Sequence, residues 1–168
     1  ARQAFAAQRR SLLRPYPTVV STLERLKAQG IPVVGLSDAS SFAATLRLRM
    51  LGLDRYLDAL YAIEPYSLPP PDRMERRILE KLEAGLYEPE TLKVHPLPLS
   101  AVKPSPEGFM MICEDFGVRP EETVMIGDNL TKDIGLAQAV GALGLWAEYG
   151  TKFEPDIRGV CRITGTRE

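Results

Sequence analysis

Two aspartates follow a short, mostly apolar segment in the carboxyl-terminal third of the chain. The segment is 123–126, and after Gly127 come Asp128 and Asp133, five positions apart. Carboxylate oxygens are the ligands that Mg²⁺ prefers, and this ion keeps its other positions for water and phosphate. The alternative is that Asp128 is a turn residue and that Asp133 stabilises the amino-terminal end of the next helix. The pattern alone fits both interpretations.

Three further polar residues have both an ordinary and a chemical interpretation. Ser37 and Asp38 follow the apolar segment 31–36, where turn formation and helix capping are common roles for Ser and Asp. The same groups can also hold an anion at the start of a helix. Lys103 precedes the proline-rich segment 104–106, and most lysines are solvated surface charges. Beside a hydroxyl and a carboxylate pair, however, a lysine can neutralise a phosphate.

Other conspicuous residues point to no chemistry. His95 is the single histidine and has no metal-ligand spacing around it, so we expect a residue of a surface loop. Trp146 ends an apolar segment and is expected in the core. Cys113 and Cys161 form no CxxC pair and are expected to be reduced, mostly buried thiols.

Helical and strand-like segments alternate along the chain, which predicts an α/β fold with a parallel sheet. Helices are expected at 18–29, 40–51, 72–84, 105–116 and 131–140, and strands at 31–36, 56–63, 123–126 and 142–147. The prolines in 95–99 predict an extended connection. Because ligands of such sheets bind at the carboxyl ends of the strands, Ser37 and Asp128 occupy favourable places.

Composition excludes several classes of protein. The 168 residues are 45% hydrophobic and 26% charged, as in an ordinary globular domain. A net charge of −1 argues against a nucleic-acid-binding protein that depends on a basic face. No apolar segment approaches the ~18 residues of a membrane span, and no export signal is evident, so we expect a cytoplasmic protein.

Three segments resemble motifs of a known family. Residues 34–37, 103–107 and 124–134 are similar to the second, third and fourth motifs of the haloacid dehalogenase (HAD) superfamily, in the family's order. The flanking segments 51–56 and 141–146 agree with the same pattern. The stretch with two aspartates is fairly specific, and the three motifs in order are far more specific than any one of them.

The resemblance implies a three-layer Rossmann-like α/β fold and a Mg²⁺-dependent phosphatase of small phosphorylated metabolites. Ser37, Asp38 and Lys103 would bind the phosphoryl group, and Lys103 would also steady the nucleophile. Asp128 would act in catalysis as a Mg²⁺ ligand, and Asp133 would be a further ligand or would hold the first ligands in place. The family's reaction proceeds through an aspartyl-phosphate that water hydrolyses.

The chain departs from the family in one respect. The family's first motif supplies the nucleophile as Asp-x-Asp, and this sequence has no Asp-x-Asp. We therefore expect a fragment, inactive alone, that lacks the first, central strand and most of the helical cap. Residues 1–14 would be a remnant of the cap, 15–150 the core with a long connection at 66–99, and 151–168 a tail.

Three other functions fit parts of the pattern. A scaffolding or binding module would keep the fold without the chemistry. A 2-haloacid dehalogenase would use the aspartate ester without a metal, which the carboxylate pair disfavours. A receiver-type phosphoacceptor domain would need an acidic cluster at the first strand.

Overall fold

The computed structural model describes residues 13–64 and 91–148. Contacts divide the chain into two compact units, Ala1–Pro96 and Leu97–Glu168. A three-stranded and a two-stranded sheet are present in the described part.

The first unit consists of helices connected to a three-stranded sheet of order β1-β2-β3. Its described helices and strands are α1 (Val19–Ala28), β1 (Val34–Ser40), α2 (Ser41–Leu51), β2 (Ala59–Ile63) and β3 (Lys93–Leu97), the last of which ends on the first residue of the second unit. Strands β1 and β2 are parallel, and the register pairs Val34 with Ala59 and Ser37 with Ala62. The helix between them is the connection that two adjacent parallel strands require.

The core of this unit lies on β2, which is buried along its whole length. Its residues are apolar on both faces, as expected for a central strand. On one side, Leu60 and Ala62 of β2 pack with Ala44 of α2 and with Leu92. The ring of Tyr61, fully buried, stacks on His95 of β3 with centroids 4.4 Å apart.

The second unit contains a pair of parallel strands. Its elements are α3 (Glu107–Phe116), β4 (Val124–Gly127), a π-helix (Leu130–Ile134), α4 (Gly135–Val140) and β5 (Leu143–Trp146). The register pairs Val124 with Leu143 and Gly127 with Trp146. The ends of β4 and β5 therefore lie side by side.

One face of the β4–β5 sheet is packed, and the other is exposed. A side chain added at Gly144 would meet Ile134 and Ala137 at 3.2 and 3.3 Å, so the helical segment packs closely on β5. Met125 points into the buried side. The alternate positions carry exposed apolar side chains, with relative exposures from 45 to 65%: Val124, Ile126, Leu143 and Leu145.

The predicted α/β fold with parallel strands is confirmed, but several predicted boundaries are wrong. The first strand begins at Val34 and continues to Ser40, so Ser37 and Asp38 lie within it rather than after it. Just before this strand, Val33 donates its backbone N–H to the Asp58 carboxylate and its carbonyl accepts the backbone N–H of Asp58, both at 2.8 Å. The predicted helix 131–140 is a π-helix followed by α4.

The predictions for His95 and Trp146 are also wrong. His95 lies in β3 and stacks on a buried ring, whereas the prolines of 95–99 had predicted an extended connection without strand pairing. Trp146 is partly exposed rather than a core residue. Cys113 is buried as expected, and burial raises the pKa of its thiol, helped by the negative charge of Glu121.

Other expectations fall on residues outside the described part. These are the helix 72–84, Cys161, the tail 151–168 and nearly all of the segment 1–14. Within residues 13–64 and 91–148, the helices are too short or too polar to cross a bilayer.

The turn after α2 gives a test of the first unit's stability. Arg49 donates a hydrogen bond to the Asp54 carboxylate at 3.0 Å, and the two side chains are 16% and 12% exposed. We expect Asp54→Ala to lower the free energy of unfolding by about 1–3 kcal/mol, because the guanidinium loses its charged partner in a largely dry place. Denaturant unfolding measures the change.

The matched control is Glu121→Ala. Glu121 pairs with Arg119 at 3.5 Å, and the two side chains are 48% and 70% exposed, so water replaces the lost partner. The unfolding midpoint of this variant should stay at the wild-type value. Equal losses of unfolding free energy in the two variants would contradict the expectation that burial makes the ion pair contribute more to stability.

Candidate functional site

A buried ion pair joins two of the residues that the sequence singled out. The Lys103 Nζ donates to the Asp133 Oδ1 at 2.6 Å, across 30 positions of sequence. The side chains are 13% and 7% exposed. A charge-assisted hydrogen bond this short, in a place largely closed to water, fixes both groups.

The loop after β4 holds the other oxygen of the same carboxylate. The Asp133 Oδ2 accepts the backbone N–H of Asn129 at 3.0 Å, and the Asn129 carbonyl accepts the backbone N–H of Asp133 at 2.7 Å. The Asn129 side chain accepts the backbone N–H of Lys132 at 2.9 Å and so caps the π-helix. Both oxygens of Asp133 are therefore occupied by groups of the second unit.

Gly127 makes room for this carboxylate. A Cβ at this position would overlap the Cβ, Cγ and Oδ2 atoms of Asp133 at distances that real side chains do not reach. The overlap involves a side chain that is held at both oxygens, so it cannot move aside. The glycine before Asp128 is required by the position of Asp133.

Asp128 differs from Asp133 in its surroundings. It lies directly after β4 and is exposed, whereas Asp133 is 5% exposed. The backbone carbonyl of Asp128 accepts the indole N–H of Trp146 at 3.2 Å. In the adjacent ladder, Ala147 donates its backbone N–H to the Gly127 carbonyl at 2.8 Å. Hydrogen bonds thus hold the backbone at Asp128, while the residue is exposed to solvent.

The donor chemistry of this loop suits Mg²⁺. An exposed carboxylate at the end of a strand is the kind of single anchor with which Mg²⁺ binds while keeping waters and phosphate oxygens as its other ligands. The described residues contain no cluster of three or more acidic, His or Cys side chains, so no cage made of protein ligands alone occurs among them. Asp128 fits the ion because it is exposed, whereas Asp133 is buried and bonded at both oxygens.

Ser37 and Asp38 lie in the first unit, near the carboxyl end of β1. The pairing of β1 with β2 becomes irregular between Ser37 and Ser40. The Ser37 Oγ accepts the backbone N–H of Ala39 at 3.2 Å, and the Ser40 Oγ accepts that of Ala43 at 3.3 Å at the start of α2. Asp38 is half-buried. Two hydroxyls and an acid thus surround this strand end.

Two residues that contact the predicted site were not singled out for it by sequence reasoning. Asn129 organises the loop through its side chain and backbone, and an Asn before a helix is a recognisable capping signal. Trp146 was expected in the core. Its indole N–H requires a hydrogen-bond acceptor, and its place at the end of a strand could have indicated a contact with the neighbouring strand end.

Several curated proteins are similar to this chain. A phosphoserine phosphatase of Thermus thermophilus is 41% identical over 61 residues, which are 33% of this chain and 24% of that protein. A glyceraldehyde 3-phosphate phosphatase of Methanocaldococcus jannaschii is 27% identical over 133 residues, 79% of this chain and 44% of the relative. The pyrophosphatase PpaX of Halalkalibacterium halodurans is 24% identical over 151 residues, 86% of this chain and 55% of the relative.

A solved structure gives the same indication. A HAD phosphatase from Thermococcus onnurineus aligns with a TM-score of 0.54 at 25% identity, covering 83% of this chain and 50% of that one. The chain spans between 24 and 55% of the length of the three curated relatives. The family model of haloacid dehalogenase-like hydrolases matches residues 2–141. Together with the parallel α/β fold and the motif residues around Lys103 and Asp133, this match establishes that the chain belongs to the haloacid dehalogenase-like hydrolase family.

Proposed function

We propose that the whole protein is a Mg²⁺-dependent phosphatase of small phosphorylated metabolites. The observation that carries the proposal is the buried ion pair between Lys103 and Asp133 beside the exposed Asp128. A cation held in a largely dry place, on the residue that also holds the loop of the exposed Asp128, suits a reaction in which negative charge develops on a phosphoryl group. The names of the similar proteins, all phosphatases, support the same reaction class.

Lys103 acts on the phosphoryl group through its charge. Its ammonium carries three donors, and the bond to Asp133 keeps the long side chain in one conformation. A preorganised cation needs no rearrangement when the transition state forms, which is the source of its catalytic effect. Asp133 therefore serves the reaction by positioning the lysine.

Asp128 holds the metal in this proposal. When bound, Mg²⁺ polarises the phosphoryl group and orients it. Asp133 keeps the loop in shape through its bond to the backbone of Asn129, so that the Asp128 carboxylate stays at the end of β4. Of the two acids first considered as ligands, only Asp128 is assigned direct contact.

Ser37 and Asp38, which belong to the first unit, are proposed to bind the phosphoryl group. The Ser37 hydroxyl accepts a backbone N–H, which leaves its hydrogen to donate to a phosphoryl oxygen. Asp38 is assigned to the same phosphate-binding strand end. The nucleophilic aspartate is assigned to a segment of the whole protein outside this sequence, and the chain by itself is expected to be inactive.

The first test is hydrolysis of p-nitrophenyl phosphate by the full-length protein. We expect turnover with Mg²⁺ that EDTA abolishes and added Mg²⁺ restores, because the phosphoryl charge needs the metal. The released p-nitrophenol is followed by absorbance.

Two results would contradict the proposal. Dehalogenation of a 2-haloacid that survives EDTA would indicate the dehalogenase. Absence of both hydrolysis and Mg²⁺ binding would indicate a scaffolding or binding module.

The two aspartates should respond differently to the same substitution. Asp133→Asn should lower the free energy of unfolding by about 1–3 kcal/mol, because the buried Lys103 ammonium loses its counter-charge. Asp128→Asn should stay within about 0.5 kcal/mol of the wild type, because the residue is exposed. Denaturant unfolding without metal compares the two variants.

The same pair distinguishes folding from chemistry. Asp128→Asn should lose Mg²⁺-dependent hydrolysis although its stability is unchanged. Equal destabilisation of both variants, or full activity of Asp128→Asn, would refute the assignment.

Lys103 gives a separate test. We expect Lys103→Met to lower kcat/KM for p-nitrophenyl phosphate by about 10²–10³-fold, the usual effect of removing one donor to the developing charge. Lys93→Met is the control, since Lys93 is an exposed lysine of β3. The control should keep wild-type kinetics. A loss of kcat/KM much smaller than tenfold in Lys103→Met would contradict a role of Lys103 in the reaction.

A further inference from the structure

We infer that Trp146 is a positioning residue, whose indole N–H holds the peptide group that carries the metal-binding Asp128. The inference rests on the proposed function, because it takes Asp128 as the anchor for the ion. Trp146 lies in β5, outside residues 124–134, the motif that contains the candidate metal ligands.

The peptide group between Asp128 and Asn129 is held at both of its polar atoms. Its carbonyl accepts the Trp146 Nε1–H at 3.2 Å, and its N–H donates to the Asp133 Oδ2 at 3.0 Å. Rotation of this peptide group would break both bonds. The direction of the bond from Cα to Cβ in Asp128 depends on the same backbone angles, so the clamp orients its carboxylate.

The two bonds have different sources of strength. The Asp133 bond comes from a buried carboxylate that Lys103 also holds. The Trp146 bond lies at an exposed place, at the end of the strand paired with β4. The register makes the reach possible, because Gly127 is paired with Trp146 and the next carbonyl along the chain is that of Asp128.

The backbone ladder alone does not supply this restraint. Ala147 donates its backbone N–H to the Gly127 carbonyl, one peptide group earlier. The Asp128 carbonyl lies just beyond this bond and is met by a side chain instead. Trp is the residue that serves here, because its rigid ring carries a single N–H donor.

The test measures Mn²⁺ binding to the full-length protein, with the signal of the free ion in electron paramagnetic resonance as the readout. Mn²⁺ takes oxygen ligands as Mg²⁺ does and reports binding without any turnover. Trp146→Phe keeps an aromatic ring and removes the N–H. We expect its Kd for Mn²⁺ to rise about 3–10-fold, the range that one lost hydrogen bond produces.

Two comparisons separate the N–H from the packing of the ring. The first is the benzothienylalanine analogue at position 146, in which sulfur replaces the N–H in a ring of nearly the same shape. This analogue should weaken Mn²⁺ binding as Trp146→Phe does. If Trp146→Phe does not fold, the analogue alone tests whether the N–H is needed. The second is Leu143→Ala, a change at an exposed residue of the same strand, which should leave the Kd unchanged.

The outcomes distinguish this inference from the proposed function. Saturable binding to the wild type, lost in Asp128→Asn and weakened in both position-146 variants, supports the inference. Wild-type affinity in the position-146 variants would overturn it and leave the proposed function standing. Absence of Mn²⁺ binding to the wild type would overturn both.

Discussion

The ion pair between Lys103 and Asp133 is the interaction on which the second unit's site depends. It joins the segment before α3 to the loop after β4, and it is short and largely dry. Breaking such a pair leaves a charge without a partner, which costs far more than an exposed pair is worth. The same carboxylate holds the loop backbone at Asn129. The Asp133 side chain therefore fixes both the Lys103 ammonium and the backbone of the loop at Asn129.

Asp128 and Asp133 have opposite surroundings, and this difference gives them different roles in the proposed function. Asp133 is buried and bonded at both oxygens, so its role is to hold other groups. Asp128 is exposed on a backbone that bonds from β5 restrain. A mobile carboxylate would lose entropy on binding an ion, whereas an oriented one has lost part of it during folding. In the proposed function, the rigid Asp133 therefore makes Asp128 a better ligand for the metal ion.

Much of this arrangement could be predicted from the sequence, and the rest depends on contacts between distant residues. The alternation of helical and strand-like segments predicted the parallel α/β fold, and Lys103 and Asp128 were singled out as site candidates that remain predictions. Strand β3 was missed because Pro96 interrupts its pattern, although a proline is tolerated where its missing donor is not needed. The direction of the Trp146 indole depends on the β4–β5 register, which no local pattern contains.

The π-helix at Leu130–Ile134 makes the length of this segment matter more than its composition. Its wide turn lets Asp133 reach back to the peptide group after Asp128. Deleting one residue between Asn129 and Asp133 would rotate the acid around the helix axis and carry it away from Lys103. Thr131, which is exposed, can vary in sequence without this effect. Related chains are thus expected to differ here by replacement of residues and not by insertion or deletion.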